Sequence, residues 1–189
     1  MRISKPPEIR KQEIIDTAMR VFYEKGYENT SLEDIAKEMG VVKGLVYRYF
    51  SSKQELFSIA MEQYVRECCE PYLEILHNNK KSILERLNRF MRLAQESDIN
   101  NVSLSFFHKK GHEGLHEQLS IKICKYFIPH FKQELDIACK NGELKIENTQ
   151  MKAEFILYGQ ICLWESQTIP VEERFQMVEY YIKKILDIE

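Results

Sequence analysis

Apolar residues along this chain recur at three- and four-residue spacing, and no stretch shows convincing strand alternation, so the pattern predicts amphipathic helices. Pro6-Pro7 can open a first helix in which Ile14, Ile15, Ala18, Val21 and Phe22 share a face until Gly26 stops it. Leu32, Ile35, Ala36 and Met39 mark a second, ended by Gly40. Its start is capped by Thr30 with Glu33 or by Ser31 with Asp34, two capping boxes one residue apart. A short third helix, about Val42 to Tyr49, would bury Val42, Val46 and Phe50 on one face. Ser52 and Glu55 form another capping box, opening a long helix to about His77 that Pro71 should kink or interrupt.

Further helices are predicted from Ile83 to Ala94, from Val102 to Lys109 and from Leu115 to Lys140, the last kinked by Pro129 and ended by Asn141-Gly142. Asn148 or Thr149 then caps the next. The final two run from about Met151 to Gln167 and from Val171 to Ile188. In the last, Val171, Phe175, Val178, Ile182 and Ile185 are spaced four, three, four, three, as in a coiled-coil seam. Gly159, Cys162 and Ser166 on the preceding helix are small enough for close helix approach, beside Phe155, Tyr158 and Leu163. Two such helices from each of two subunits would make a four-helix bundle, and a purely internal core is the alternative. The fold class is therefore all-α, a three-helix N-terminal domain over residues 8–68 followed by a helical C-terminal domain over residues 69–189.

Helices two and three, joined by a tight turn at Gly40, have the spacing of a helix-turn-helix. The solvent face of the second of them holds Lys43, Gly44, Tyr47 and Arg48, with Leu45 and Tyr49 at its margins. From Val41 to Lys53 there are three basic residues and no acidic one, so this surface attracts phosphate.

Charge sharpens that reading. The whole chain has a net charge of −2, but the part up to Lys53 has 10 basic and 8 acidic residues, +2, leaving −4 for the remainder. An acidic C-terminal part limits indiscriminate adhesion to DNA, and binding through a small basic surface should depend strongly on salt. Arg2, Lys5, Arg10 and Lys11 at the N-terminal end are either a solvated terminus or an arm touching the DNA backbone or minor groove.

The run from Gly26 to Phe57 resembles the DNA-binding domain of TetR/AcrR-type transcriptional regulators. The resemblance rests on Gly26-Tyr27, Thr30-Ser31, Ile35-Ala36, Gly40-Val41, Gly44, Tyr47, Tyr49-Phe50 and Lys53-Gln54-Glu55-Leu56. It implies phosphate contacts from Thr30, Lys43, Tyr47, Tyr49 and Lys53, with Ser31 on the same surface. It also brings Lys43, Gly44, Leu45 and Arg48 to base edges. Val42 and Leu45 depart from the family pattern, which has a small hydroxyl residue at the first position and a small residue at the second. The third helix therefore lacks a side-chain cap, at a cost of about 1 kcal/mol. Leu45 would instead pack on a thymine methyl.

The resemblance further implies a homodimer through the last two helices, which favours Phe155, Gly159, Cys162, Val171, Phe175, Val178, Ile182 and Ile185 as interface residues. Two recognition helices related by a twofold axis read an inverted-repeat operator in double-stranded DNA. It implies a small-molecule cavity in the C-terminal domain as well. Tyr64, Met91, Phe107, His108, Tyr126, His130, Tyr158 and Trp164 are candidate wall residues, suited to an apolar or amphipathic effector. By the resemblance the long fourth helix transmits ligand-induced movement, with Pro71 as either a hinge or a simple bend.

Other chemistry is sparse. Cys68, Cys69, Cys124, Cys139 and Cys162 show neither metal spacing nor a disulfide framework. They read as packing residues, although the Cys68-Cys69 pair has the alternative of sensing oxidants or metals. His108, His112 and His116 would stack metal ligands only on a continuous helix, which Gly111 and Gly114 oppose. No phosphate loop, nucleophile elbow or zinc signature is present, so neither catalysis nor a cofactor is expected. There is no apolar run to span a bilayer and no secretion-type apolar stretch near Met1, which places the protein in the cytoplasm. The sequence thus predicts a homodimeric repressor released by a small molecule. The alternatives are an activator, an effector-independent regulator, or a helical small-molecule-binding or adaptor protein without operator binding.

Overall fold

The computed structural model describes residues 5–100, 113–164, 166 and 168–188. Among them the regular structure is entirely helical: α1 (Pro7–Lys25), α2 (Leu32–Glu38), α3 (Lys43–Tyr47), α4 (Lys53–Leu76), α5 (Ile83–Asn100), α6 (Glu113–Lys140), α7 (Thr149–Gly159), α8 (Ile161–Trp164) and α9 (Val171–Ile185). The chain divides into two compact units, Met1–Tyr64 and Val65–Glu189.

In the first unit the apolar stripes converge on one core. Ile14, Ala18, Val21 and Phe22 of α1, Ile35 of α2, Val46 of α3, and Phe50 and Leu56 are at most 1% exposed. Phe22, Tyr27 and Phe57 form an aromatic cluster with ring centroids 4.6 to 5.5 Å apart. Each such side chain contributes about 1.5–3 kcal/mol by leaving water, and truncating Phe22 to alanine would cost about 3–5 kcal/mol.

The helix boundaries follow from local chemistry. α1 ends at Gly26, whose φ of 84° is cheap only for glycine. Ser31, not Thr30, caps α2, and both arms of the box with Asp34 are present. Gly40 takes φ 64° and turns the chain toward α3. α3 is shorter than the 42–49 span predicted: Val42 is its N-cap, in extended backbone, and Arg48 its C-cap. Val42 is therefore 67% exposed and does not share the buried face of Val46 and Phe50. Ser52 caps α4 by accepting from Glu55 N at 3.0 Å. The Glu55 carboxylate, however, accepts from Ser51 N and Oγ at 2.7 and 2.6 Å, one residue earlier than a reciprocal box requires. α4 then runs without interruption through Pro71, which is exposed.

In the second unit α6 and α7 pack together, burying Cys124, Phe127, Phe131, Leu135 and Ala138 with Ala153, Ile156 and Leu157. Tyr72, Phe90 and Phe127 link α4, α5 and α6 through ring contacts at 4.8 and 5.5 Å. Ser82 and Glu85 cap α5, and Glu143 accepts from Ile83 N at 2.6 Å from the far end of α6. α6 continues through Pro129 and ends at Asn141-Gly142, where Gly142 has φ 77°. Asn148 caps α7 through a side-chain oxygen 3.1 Å from Met151 N.

Two expectations need correction. The helix predicted over 151–167 is broken at Gln160 into α7 and α8, and it ends near Trp164. Gly159 costs about 1 kcal/mol in a helix interior, and Pro170 disfavours helical backbone at Ile169. Part of the seam on α9 is turned inward: Phe175 and Val178 are buried in the unit's own core, with Phe175 against the Trp164 ring at 4.6 Å, whereas Val171 is exposed and Ile182 and Ile185 are partly covered. The helix expected over 102–109 and the metal spacing of His108 and His112 lie outside the described residues, as does the His116 side chain.

Candidate nucleic-acid interface

α3 is five residues long and only Val46 is buried, so its remaining face is available to a partner. Lys43, Gly44, Tyr47 and Arg48 are exposed, while Leu45 and Tyr49 are partly covered. Arg48 lies over the Tyr49 ring at 5.4 Å and donates to its hydroxyl at 3.4 Å. Lys43 donates to Glu33 of α2 at 2.9 Å, and that contact holds the ammonium above its ordinary pKa.

Beside α3 the starts of α2 and α4 border an open concavity of about 440 Å³. Asn29, Thr30, Ser31 and Leu32 line one side, Ser51, Ser52 and Lys53 the other, with Tyr47 of α3 and the acidic Glu28 and Asp34 completing it. Helix N-termini present free N–H groups suited to an anion. Lys53 is fixed rather than free: its Nζ donates to the carbonyls of Tyr27 at 2.8 Å and Glu28 at 3.3 Å and lies 4.3 Å from the centre of the Tyr27 ring. The start of α4 is thereby fastened to the loop before α2.

Thr30 is placed differently from expectation. It is 2% exposed and its hydroxyl donates to Gly26 O at 2.8 Å, so its side chain secures the α1–α2 turn instead of facing solvent. Among the basic residues before the motif, Lys5 and Arg10 both pair with Glu13, and Lys11 lies 5.9 Å from the Phe50 ring. Arg2 is outside the described residues.

The bacterial regulatory proteins of the tetR family match residues 14–59, the segment that builds this surface. Over residues 14–59 the chain is a TetR-type DNA-binding domain. A similar relative is YhgD of Bacillus subtilis (strain 168), an uncharacterized HTH-type transcriptional regulator. It is 25% identical over 93% of this chain and 95% of its own. IcaR of Staphylococcus aureus (strain Newman), a negative transcriptional regulator of the biofilm operon icaADBC, is 43% identical over 74 residues. That match spans 38% of this chain and 37% of IcaR. The structure of RolR in complex with resorcinol shares the fold, with TM-score 0.67 and 13% identity over 96% of this chain and 89% of that one. The chain thus carries the DNA-binding domain of a TetR-type transcriptional regulator at residues 14–59.

The residues expected to line a small-molecule cavity fall in several elements. Tyr126 and His130 lie together on α6, 5.5 Å between rings, and His77 is 5.2 Å from His130. Burial and the neighbouring His77 lower the His130 pKa. Met91 is partly buried on α5, and Tyr64 falls at the end of the first unit. Tyr158 is 38% exposed. Trp164 is engaged elsewhere, donating to Gln160 at 3.3 Å and packing on Phe175. Phe107 and His108 lie outside the described residues.

Of the interface candidates, Phe155 at 68%, Gly159, Cys162 and Val171 are exposed, Ile182 and Ile185 are partly covered, and Phe175 and Val178 are buried. Exposed Met151 was not singled out from sequence, nor were exposed Tyr180 and Tyr181, which fall off the heptad positions of α9. Burial pushes the Cys69 thiol up to about 12 and Cys124 up to about 11, which makes both packing residues and poor nucleophiles. No helix among the described residues is long and apolar enough to cross a membrane.

Proposed function

We propose that this protein is a homodimeric repressor that binds an inverted-repeat operator and is released by a small-molecule effector. The observation that carries the reading is the division of labour within α3. Val46 anchors the helix, while Lys43, Gly44, Tyr47 and Arg48 present donors and an aromatic ring to solvent between two helix starts. Ser31, Ser51 and Ser52 then position the protein on phosphate, and Lys43, Leu45 and Arg48 reach base edges.

Repression is supported by the likeness to IcaR, a negative regulator, over 74 residues. A second copy is supported by the apolar face left open on α7 to α9, including Met151, Phe155, Tyr158, Tyr180 and Tyr181. One short recognition helix reads few base pairs, so a twofold pair is what gives this surface useful specificity. An effector is supported by the fold shared with RolR, which is bound to resorcinol. Release requires that the effector bind more tightly to a form whose two recognition helices misfit the half-sites; equal affinity for both forms changes nothing.

The test is selection of bound duplexes from a random library at near-physiological salt, with the native protein and the Lys43→Ala/Tyr47→Ala double variant. Enrichment of an inverted repeat by the native protein alone is the expected result. Enrichment by neither removes the operator-binding reading.

A further inference from the structure

We infer that Glu33 sets the sequence specificity of DNA binding by positioning Lys43, an inference that rests on the operator-binding reading above. The recognition segment from Val41 to Lys53 has no acidic residue of its own. The structure brings one in from α2, where the Glu33 Oε1 accepts from Lys43 Nζ at 2.9 Å. The other acids of α2 are occupied elsewhere: Asp34 completes the cap with Ser31, and Glu38 pairs with Arg20 of α1 at 2.7 Å. Glu33 is thus the α2 carboxylate that pairs with Lys43 of α3.

Both side chains are open to solvent, Lys43 at 69% and Glu33 at 57%. A pair this exposed contributes little to folding, so its consequence lies in what approaches it. A lone lysine is a point charge on a flexible stem and is attracted to any phosphate, whatever the sequence. Glu33 offsets that charge and takes one of the three ammonium donors. The remaining two are held at the start of α3, where they gain most from a fixed acceptor such as the O6 and N7 of guanine. Glu33 thereby converts Lys43 from an indiscriminate phosphate contact into a selective one.

The experiment measures affinity for the selected operator and for random duplex across a salt series, for the native protein, Glu33→Gln, Lys43→Ala and the double variant. For Glu33→Gln the expected result is several-fold tighter binding to random duplex with little gain on the operator. The slope of log K against log salt should steepen by about 0.9, the release of one further counterion, with the melting temperature unchanged. In the Lys43→Ala background, Glu33→Gln should leave the ratio of operator to random affinity unaltered. Equal tightening on both duplexes, or the same effect without Lys43, would mean that Glu33 only repels phosphate, and the inference fails. Unchanged ratio and slope on a confirmed operator overturn it while leaving the DNA-binding reading intact; a native protein that selects no operator overturns both.

Discussion

Arg86 of α5 donates to the Glu134 carboxylate of α6 at 2.5 Å, with 1% and 2% of the two side chains exposed. The same guanidinium nitrogen donates to Leu76 O at 2.6 Å, satisfying a carbonyl in the last turn of α4, and reaches Asn79 at 3.4 Å. A buried charge pair gains little over an apolar pair of similar volume, but either charge left alone is costly. Glu134→Gln should therefore destabilise the second unit by about 3–5 kcal/mol, and Arg86→Met with Glu134→Leu should recover most of that loss. Urea denaturation of the three variants checks this; a double variant as weak as the single one would count against the pair.

Val42 sits at the N-cap of α3 with no hydroxyl to offer, and it buries nothing that a smaller residue would forfeit. Val42→Ser should stabilise the first unit by about 1 kcal/mol. It also adds a donor beside the recognition helix, so operator affinity should rise along with the melting temperature. A rise in affinity with no change in stability would show that the cap does not form.

Leu45, partly covered at the edge of α3, has no side-chain donor or acceptor, so on the proposed reading its contact with a base is apolar. Leu45→Ala should reduce preference for thymine at one position of each half-site, by about 1 kcal/mol or somewhat more. Repeating the library selection with this variant tests the point, and an unchanged base profile would refute it.

Phe155 is 68% exposed within one subunit, so a charged residue there leaves the fold intact. Phe155→Glu should shift the protein from dimer to monomer in analytical ultracentrifugation and lower operator affinity by an order of magnitude or more. Val178→Glu, by contrast, should unfold the second unit, because Val178 is 2% exposed in its core.

Burial and His77 depress the His130 pKa below its ordinary 6.5. Below that value the unfolded chain takes up a proton that the folded chain declines, so this contribution to stability is complete above about pH 6.5 and is lost as pH falls through the folded pKa. The urea midpoint should drop as the pH is lowered from neutral through the folded pKa. His130→Gln should flatten that dependence, and an identical slope in the variant would assign the effect to other groups.

Features encoded within a few residues were legible in the sequence. The Ser31–Asp34 cap, the left-handed stops at Gly26, Gly40 and Gly142 and the Asn148 cap each depend on side chains or backbone angles three or four residues apart. What a helix face packs against was not. The spacing of Phe175 and Val178 identifies a buried stripe, yet the same stripe serves a partner subunit or the chain's own core, and here both residues are internal. Val42 was misjudged because an apolar side chain at helical spacing looks buried, whereas the helix begins one residue later. Arg86 and Glu134 are 48 residues apart, and Glu33 and Lys43 belong to different helices, so neither pair leaves a local signature. In the recognition surface the sequence identified the outward residues of α3 but not the tethering of Lys43 and Lys53 or the inward turn of Thr30.

Gly44 occupies the outward side of α3, and a Cβ built on it meets no atom within 4 Å. Any of several side chains can be added there without repacking the protein, and most would favour the helix over glycine. On the operator-binding reading proposed above, duplicated copies of such a gene would have a direct evolutionary route to new targets: a single codon change at this vacancy adds a side chain facing DNA, while the hydrophobic scaffold beneath it is inherited unchanged.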